Sequence, residues 1–155
     1  MMERRPEHHS VTISGLALHY LDWEGSGQPV VLLHGLASTA RIWDLTAPLL
    51  GQHLRVYALD QRGHGESDQP QGERDYTFEA VVGDLHAFIQ ALGLEHPVVV
   101  GHSWGGNVAL QYAADHPEVP SALVLVDGGF LELALSPGMT WERTLELMTP
   151  PNFTG

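Results

Sequence analysis

Four short, continuously apolar runs punctuate the chain: Pro29–Leu33 (PVVLL), Arg55–Leu59 (RVYAL), Pro97–Val100 (PVVV) and Ala122–Val126 (ALVLV). Runs this short, with no polar alternation, read as strands buried on both faces of a parallel sheet. Helical patterns lie between them. After Thr77, a capping residue, come Phe78, Val81, Val82, Leu85, Phe88, Ile89 and Leu92. Their spacing of three and four marks one stripe of a helix that Gly93 closes. A second helix is expected from about Ile42 to Leu50 with Thr39 as N-cap, and a third over Asn107–Asp115, stopped ahead of Pro117. Upstream, Val11–Gly15 and Leu16–Trp23 alternate apolar and polar residues around Ser14-Gly15, which predicts a hairpin. Residues 1–10 read as a polar tail, and a further helix is expected over Trp141–Met148.

A hairpin followed by strand–helix alternation predicts an α/β fold, a mostly parallel sheet with helices on both faces. Sites in such sheets form at the carboxyl ends of the strands. Those ends carry His34-Gly35, Asp60, Gly101-His102-Ser103 and Asp127.

Composition removes several classes of chemistry. The 155 residues hold 19 acidic side chains against 7 basic ones, all arginine, for a formal charge of −12. Such a surface repels phosphate backbones and anionic membranes, so neither nucleic acid nor a membrane is expected as partner. Without lysine there is no Schiff-base chemistry and no Walker lysine, so the glycine-rich Arg62–Ser67 loop is not a phosphate cradle. Without cysteine there is no disulfide and no thiolate site. The histidines are not at metal-ligand spacing, and His8-His9 read as solvated, so no metal and no cofactor is expected. No signal peptide and no apolar run long enough to span a bilayer is visible, which makes a cytoplasmic location the default.

The strongest chemical signal is Gly101-His102-Ser103-Trp104-Gly105, a G-x-S-x-G between an apolar strand and a helix. At such a corner a serine in a strained turn holds its hydroxyl clear of the backbone, and the flanking glycines let strand and helix approach. Acyl transfer also needs two backbone N–H donors for the developing oxyanion. Trp104, after the nucleophile, is expected to supply one, and Leu36, in the loop that follows PVVLL, the other. His34 and Gly35 in that loop are expected beside the substrate, with the His34 side chain holding the loop by hydrogen bonds. Trp43 reads as core and Trp104 as lying at the mouth of the site.

Together these motifs resemble the α/β-hydrolase superfamily of the cap-bearing kind. The resemblance rests on His34-Gly35, on Asp60, Arg62, Gly63, His64, Gly65 and Ser67 in a D-x-R-G-H-G-x-S loop, on the elbow at Ser103, and on Leu123–Asp127. It runs from about Val11 to Gly129, making residues 11–129 the N-terminal part of the hydrolase core and residues 130–155 the start of a cap. It implies a triad in the order nucleophile, acid, histidine, with Ser103 attacking a carbonyl and water clearing the acyl-enzyme. Serine at this position argues against relatives with an aspartate nucleophile, such as haloalkane dehalogenases and epoxide hydrolases. Hydrolysis of carboxylic esters fits best, and C–C, amide and perhydrolase-like chemistry stay open.

No histidine follows His116. The expectation is therefore a core truncated before its last strands, without the triad acid and histidine, and nearly inactive alone. The alternative is a catalytically incomplete hydrolase-like fragment or a pseudoenzyme that binds a small ligand. Asp127 reads as a strand-end turn former rather than the triad acid. With no later strand beside it, ALVLV would form a sheet edge open to self-association.

Overall fold

The computed structural model describes residues 5–129. Six strands form one sheet: β1 (Glu7–Ile13), β2 (Leu16–Asp22), β3 (Pro29–Leu33), β4 (Arg55–Leu59), β5 (Val98–His102) and β6 (Ala122–Val126). Their order is β1-β2-β4-β3-β5-β6. The β1–β2 and β2–β4 pairs are antiparallel, and β3, β4, β5 and β6 run parallel. This is the mixed, mostly parallel α/β sheet that the alternation of runs and stripes requires.

The apolar runs serve two cores because successive side chains alternate faces. Val31, Leu33, Tyr57, Leu59 and Val99 pack with Val81, Leu85, Phe88 and Ile89 of α2 (Phe78–Ala91) and with Val108, Ala109 and Tyr112 of α3 (Trp104–Asp115). Val30, Leu32, Val56, Ala58 and Val100 pack on the opposite face with Trp23, Ala40, Trp43 and Ala47. Trp43 is thus a core residue.

Four local details differ from the sequence expectation. The tail is shorter, because β1 already begins at Glu7 and pairs with β2 through His8↔Leu21 and Ser10↔His19. The helix expected from Ile42 to Leu50 is broken into a 3₁₀ turn over Ala40–Trp43 and a short α1 over Ala47–Leu50. Pro48 explains the break, since it lacks an N–H and is accommodated only in a first turn. Thr39 still caps, accepting from the Arg41 N–H at 3.3 Å. A second 3₁₀ turn, Glu73–Tyr76, follows the polar loop after β4. Finally, α3 starts at Trp104 rather than Asn107, drawing Gly105 and Gly106 into its first turn.

Among the described residues β6 is an edge strand, with Val124, Leu125 and Val126 exposed. The helix expected over Trp141–Met148 and the cap region from residue 130 lie outside the described residues.

Candidate active site

The site begins where β5 stops. Ser103 joins β5 to α3 with φ 51° and ψ −116°, a combination disfavoured for any residue with a Cβ. The turn holds because both neighbours approach it closely. A Cβ on Gly101 would lie 2.1 Å from the Gly105 carbonyl oxygen, and one on Gly105 would lie 2.6 Å from that of Leu33. Only glycine fits at either position, so β5, α3 and the end of β3 lock around the serine. The Ser103 N–H donates to Val126 O at 3.0 Å, and its carbonyl accepts from Gly106 N at 2.9 Å.

The loop after β3 lies directly over this corner. A Cβ on Gly35 would be 3.3 Å from the Ser103 Cβ and 3.2 Å from His102 Nδ1. Buried His34 shapes the loop. Its Nδ1–H donates to Gly35 O at 2.7 Å, and its Nε2 accepts from the Gln61 N–H at 3.1 Å. Gln61 Nε2 returns a bond to His34 O at 2.8 Å. Burial desolvates the ring and outweighs the bond to Gly35 O, so its pKa falls below the ordinary histidine value. His34 is thus a neutral strut.

Leu36 follows with its side chain exposed, and Ala37 takes a positive φ of 55°. The backbone N–H groups of Leu36 and Trp104 donate to no protein acceptor among the described residues. For Trp104 this is the ordinary state of a first-turn N–H, which also carries the positive end of the helix dipole. The Trp104 ring is half-buried, edge to face with Phe78 at 5.1 Å, so its side chain belongs to the contact between α2 and α3. One corner therefore brings together Ser103, Trp104, Gly35 and, through the loop, His34 and Leu36. No hydrogen bond joins the Ser103 hydroxyl to a histidine or carboxylate among the described residues.

The α/β hydrolase fold family matches residues 28–152. The chain belongs to that family. It is 36% identical over 120 residues to a soluble epoxide hydrolase of Corynebacterium sp., covering 77% of this chain and 41% of that protein. It is 37% identical over 118 residues to an N-formylmaleamate deformylase of Pseudomonas putida, covering 76% of this chain and 44% of that one. The crystal structure of an epoxide hydrolase from Vigna radiata superposes with a TM-score of 0.76 at 32% identity, over 81% of this chain and 39% of the other. This α/β-hydrolase chain thus spans about two fifths of the length of these relatives.

The D-x-R-G-H-G-x-S loop of this hydrolase braces the site from behind. Asp60 accepts from Ala40 N at 2.6 Å, Glu66 N at 3.1 Å and His19 Nδ1 at 2.8 Å. Ser67 Oγ donates to Asp60 O at 2.6 Å. Arg62 makes a two-pronged pair with Asp84 of α2, both contacts 2.6 Å. That bond holds the guanidinium charged and raises its pKa. Asp84, Gln61 and His19 escaped the sequence reading. Asp84 did carry a signal, because it interrupts the apolar stripe of α2 with a charge next to Leu85. The partners of Gln61 and His19 lie 27 and 41 residues away, and no local spacing points to them.

Proposed function

We propose that this chain supplies the nucleophile and oxyanion-binding half of a serine-hydrolase site and is catalytically incomplete by itself. Ser103 is the nucleophile, and the N–H groups of Trp104 and Leu36 receive the oxyanion. The observation that carries the proposal is the positive-φ Ser103 at the β5–α3 corner, with Gly35 packed against its Cβ. The N–H groups of Trp104 and Leu36, which have no protein acceptor among the described residues, support the same reading.

The substrate class follows from the nucleophile. When a serine oxygen attacks an acyl carbonyl, the leaving group departs and an ester remains, which water cleaves at its carbonyl. When a serine oxygen opens an epoxide, it forms an ether, which water does not cleave. The names of the relatives include both an epoxide hydrolase and a deformylase. With serine at the elbow, carboxylic esters or related acyl compounds are the consistent class here. Gly35 brings the loop backbone close to Ser103 on the oxyanion side, and buried His34 holds that loop from within.

Incompleteness is inferred from the described residues, among which no histidine or carboxylate is bonded to the Ser103 hydroxyl. Without a histidine to take its proton, the Ser103 hydroxyl is a weak nucleophile, while oxyanion donors alone can leave about 10³-fold acceleration over water. The same observation supports a second reading, in which the corner binds a small ligand without turning it over. Hydrolysis of p-nitrophenyl acetate by the chain, with Ser103→Ala as control, tests the proposal. Slow hydrolysis lost in the variant is expected. Turnover at about 1–10³ per second, ordinary for enzymes, would contradict incompleteness, and consumption of an epoxide would contradict the substrate class.

The exposed edge of β6 adds a proposal about assembly. Val124, Leu125 and Val126 offer an uncharged, proline-free edge for strand addition between two copies. Light scattering behind size exclusion should find a dimer or larger species, and a sharp monomer peak would contradict it. None of the helices among the described residues is long and apolar enough to cross a membrane.

A further inference from the structure

Away from the elbow, three potential ligand atoms converge on the opening hairpin. His8 and His19 sit on paired strands, and because Ser10 faces His19, His8 is its diagonal neighbour on the same face. His8 Nδ1 lies 3.0 Å from His19 Nε2. Glu66 Oε1 lies 3.6 Å from the same His8 nitrogen and 3.9 Å from the same His19 nitrogen. These are the separations expected of atoms that share a metal ion. A point equidistant from the three lies about 2 Å from each, the bond length of zinc to imidazole nitrogen or carboxylate oxygen.

We propose that His8, His19 and Glu66 form a site for one divalent ion of the zinc type, with water as the fourth ligand. The surroundings are arranged for it. His19 is buried, and its Nδ1–H donates to Asp60 Oδ2 at 2.8 Å, which fixes the ring and leaves Nε2 as an acceptor turned toward His8 Nδ1 at 3.0 Å. A carboxylate behind a histidine in this way fixes the tautomer and the orientation of the ligating ring. The same Asp60 oxygen accepts from Glu66 N at 3.1 Å, so one buried carboxylate positions two of the three ligands. Glu66 and His8 are solvent-facing, which leaves room for water at the fourth position. Two imidazoles and a carboxylate suit zinc and its first-row neighbours, and the donor set is too small and too nitrogen-rich for calcium or magnesium.

Two contacts must change: the 3.0 Å hydrogen bond between His8 Nδ1 and His19 Nε2 gives way to the ion, and the Arg41 contact to His8 is released. Arg41 Nη2 lies 3.2 Å from His8 Nε2 and donates to it, which places the His8 proton on Nδ1. Binding a metal at Nδ1 moves that proton to Nε2 and releases the guanidinium, which already holds Asp44 at 3.2 Å. The site lies three strand spacings from β5, about 14 Å along the sheet. Its role is to tie β1, β2 and the loop after β4 together, not to take part in hydrolysis.

Calorimetric titration of the full chain with zinc chloride tests the proposal. One ion per chain should bind saturably, and His8→Ala and Glu66→Gln should each abolish that binding. Zinc should also raise the unfolding midpoint of the wild type, as any ligand of the folded state does, and should not raise that of either variant. His9→Ala, one residue from a ligand but paired with Glu7, is the control for adventitious capture by surface histidines. It should bind as the wild type does. Undiminished binding in His8→Ala, equal loss in His9→Ala, or no saturable binding by the wild type would each overturn the site.

Discussion

If Ser103 is held in a strained turn, relieving the strain should stabilise the fold even as it removes the proposed nucleophile. The pair of variants that isolates this is Ser103→Gly and Ser103→Ala. Both delete the hydroxyl, but only alanine keeps the Cβ that makes φ 51° and ψ −116° unfavourable. Strain of this kind costs about 1–3 kcal/mol. Glycine gives back roughly 0.5–1 kcal/mol through the greater freedom of its unfolded chain. The glycine variant should therefore be more stable than the alanine variant by about 1 kcal/mol. With a urea slope of about 1–3 kcal/mol per molar, that is a midpoint higher by roughly 0.5 M. Urea unfolding followed by tryptophan fluorescence reads the difference directly. An alanine variant equal to or more stable than the glycine variant would refute the claim that the elbow stores strain.

Other consequences are equally open to test. Asp84→Ala strands the Arg62 guanidinium in a buried setting and should cost about 3–5 kcal/mol in chemical denaturation, whereas an Arg62→Met, Asp84→Leu double variant should recover much of it. His34 has a lowered pKa, so the fold favours its neutral form. Its stabilising effect is complete above the ordinary value of 6.5 and is lost as pH falls below that value toward the folded pKa. Nitrogen-detected NMR of the imidazoles should find His34 still neutral at pH 6.5. Tyr112, buried and pushed up to about 12 from 10.0, contributes stability that is intact below pH 10 and declines between there and 12. Tyr112→Phe should flatten that alkaline decline, leaving the part due to Tyr20 and Tyr57, which are also raised.

The division between what the sequence reveals and what it conceals has a physical basis. The strands are legible because their apolar runs are short and lack polar alternation: PVVLL, RVYAL and ALVLV each become a strand with those bounds, the first two buried and ALVLV exposed among the described residues. The proposed elbow is legible because two close backbone approaches demand glycine at positions 101 and 105, on either side of a positive-φ residue. Pro48 shows a local rule overlooked, since its ring cannot sit in the middle of the helix first expected there. From sequence alone His8 reads as solvated, because strand pairing is non-local. Only the β1–β2 register places His8 beside His19, and only the loop after β4 brings Glu66 to both. The hydrogen bonds of His34 with Gln61 and of His19 with Asp60 are likewise products of the fold.

The measurement closest to the central claim is the site of covalent capture. The chain is incubated with an excess of a fluorophosphonate, digested, and the adduct located by mass spectrometry. An adduct on Ser103, formed slowly and absent from Ser103→Ala, is the predicted result. An adduct on another serine, or equal labelling of wild type and variant, would contradict the assignment of Ser103 as the nucleophile.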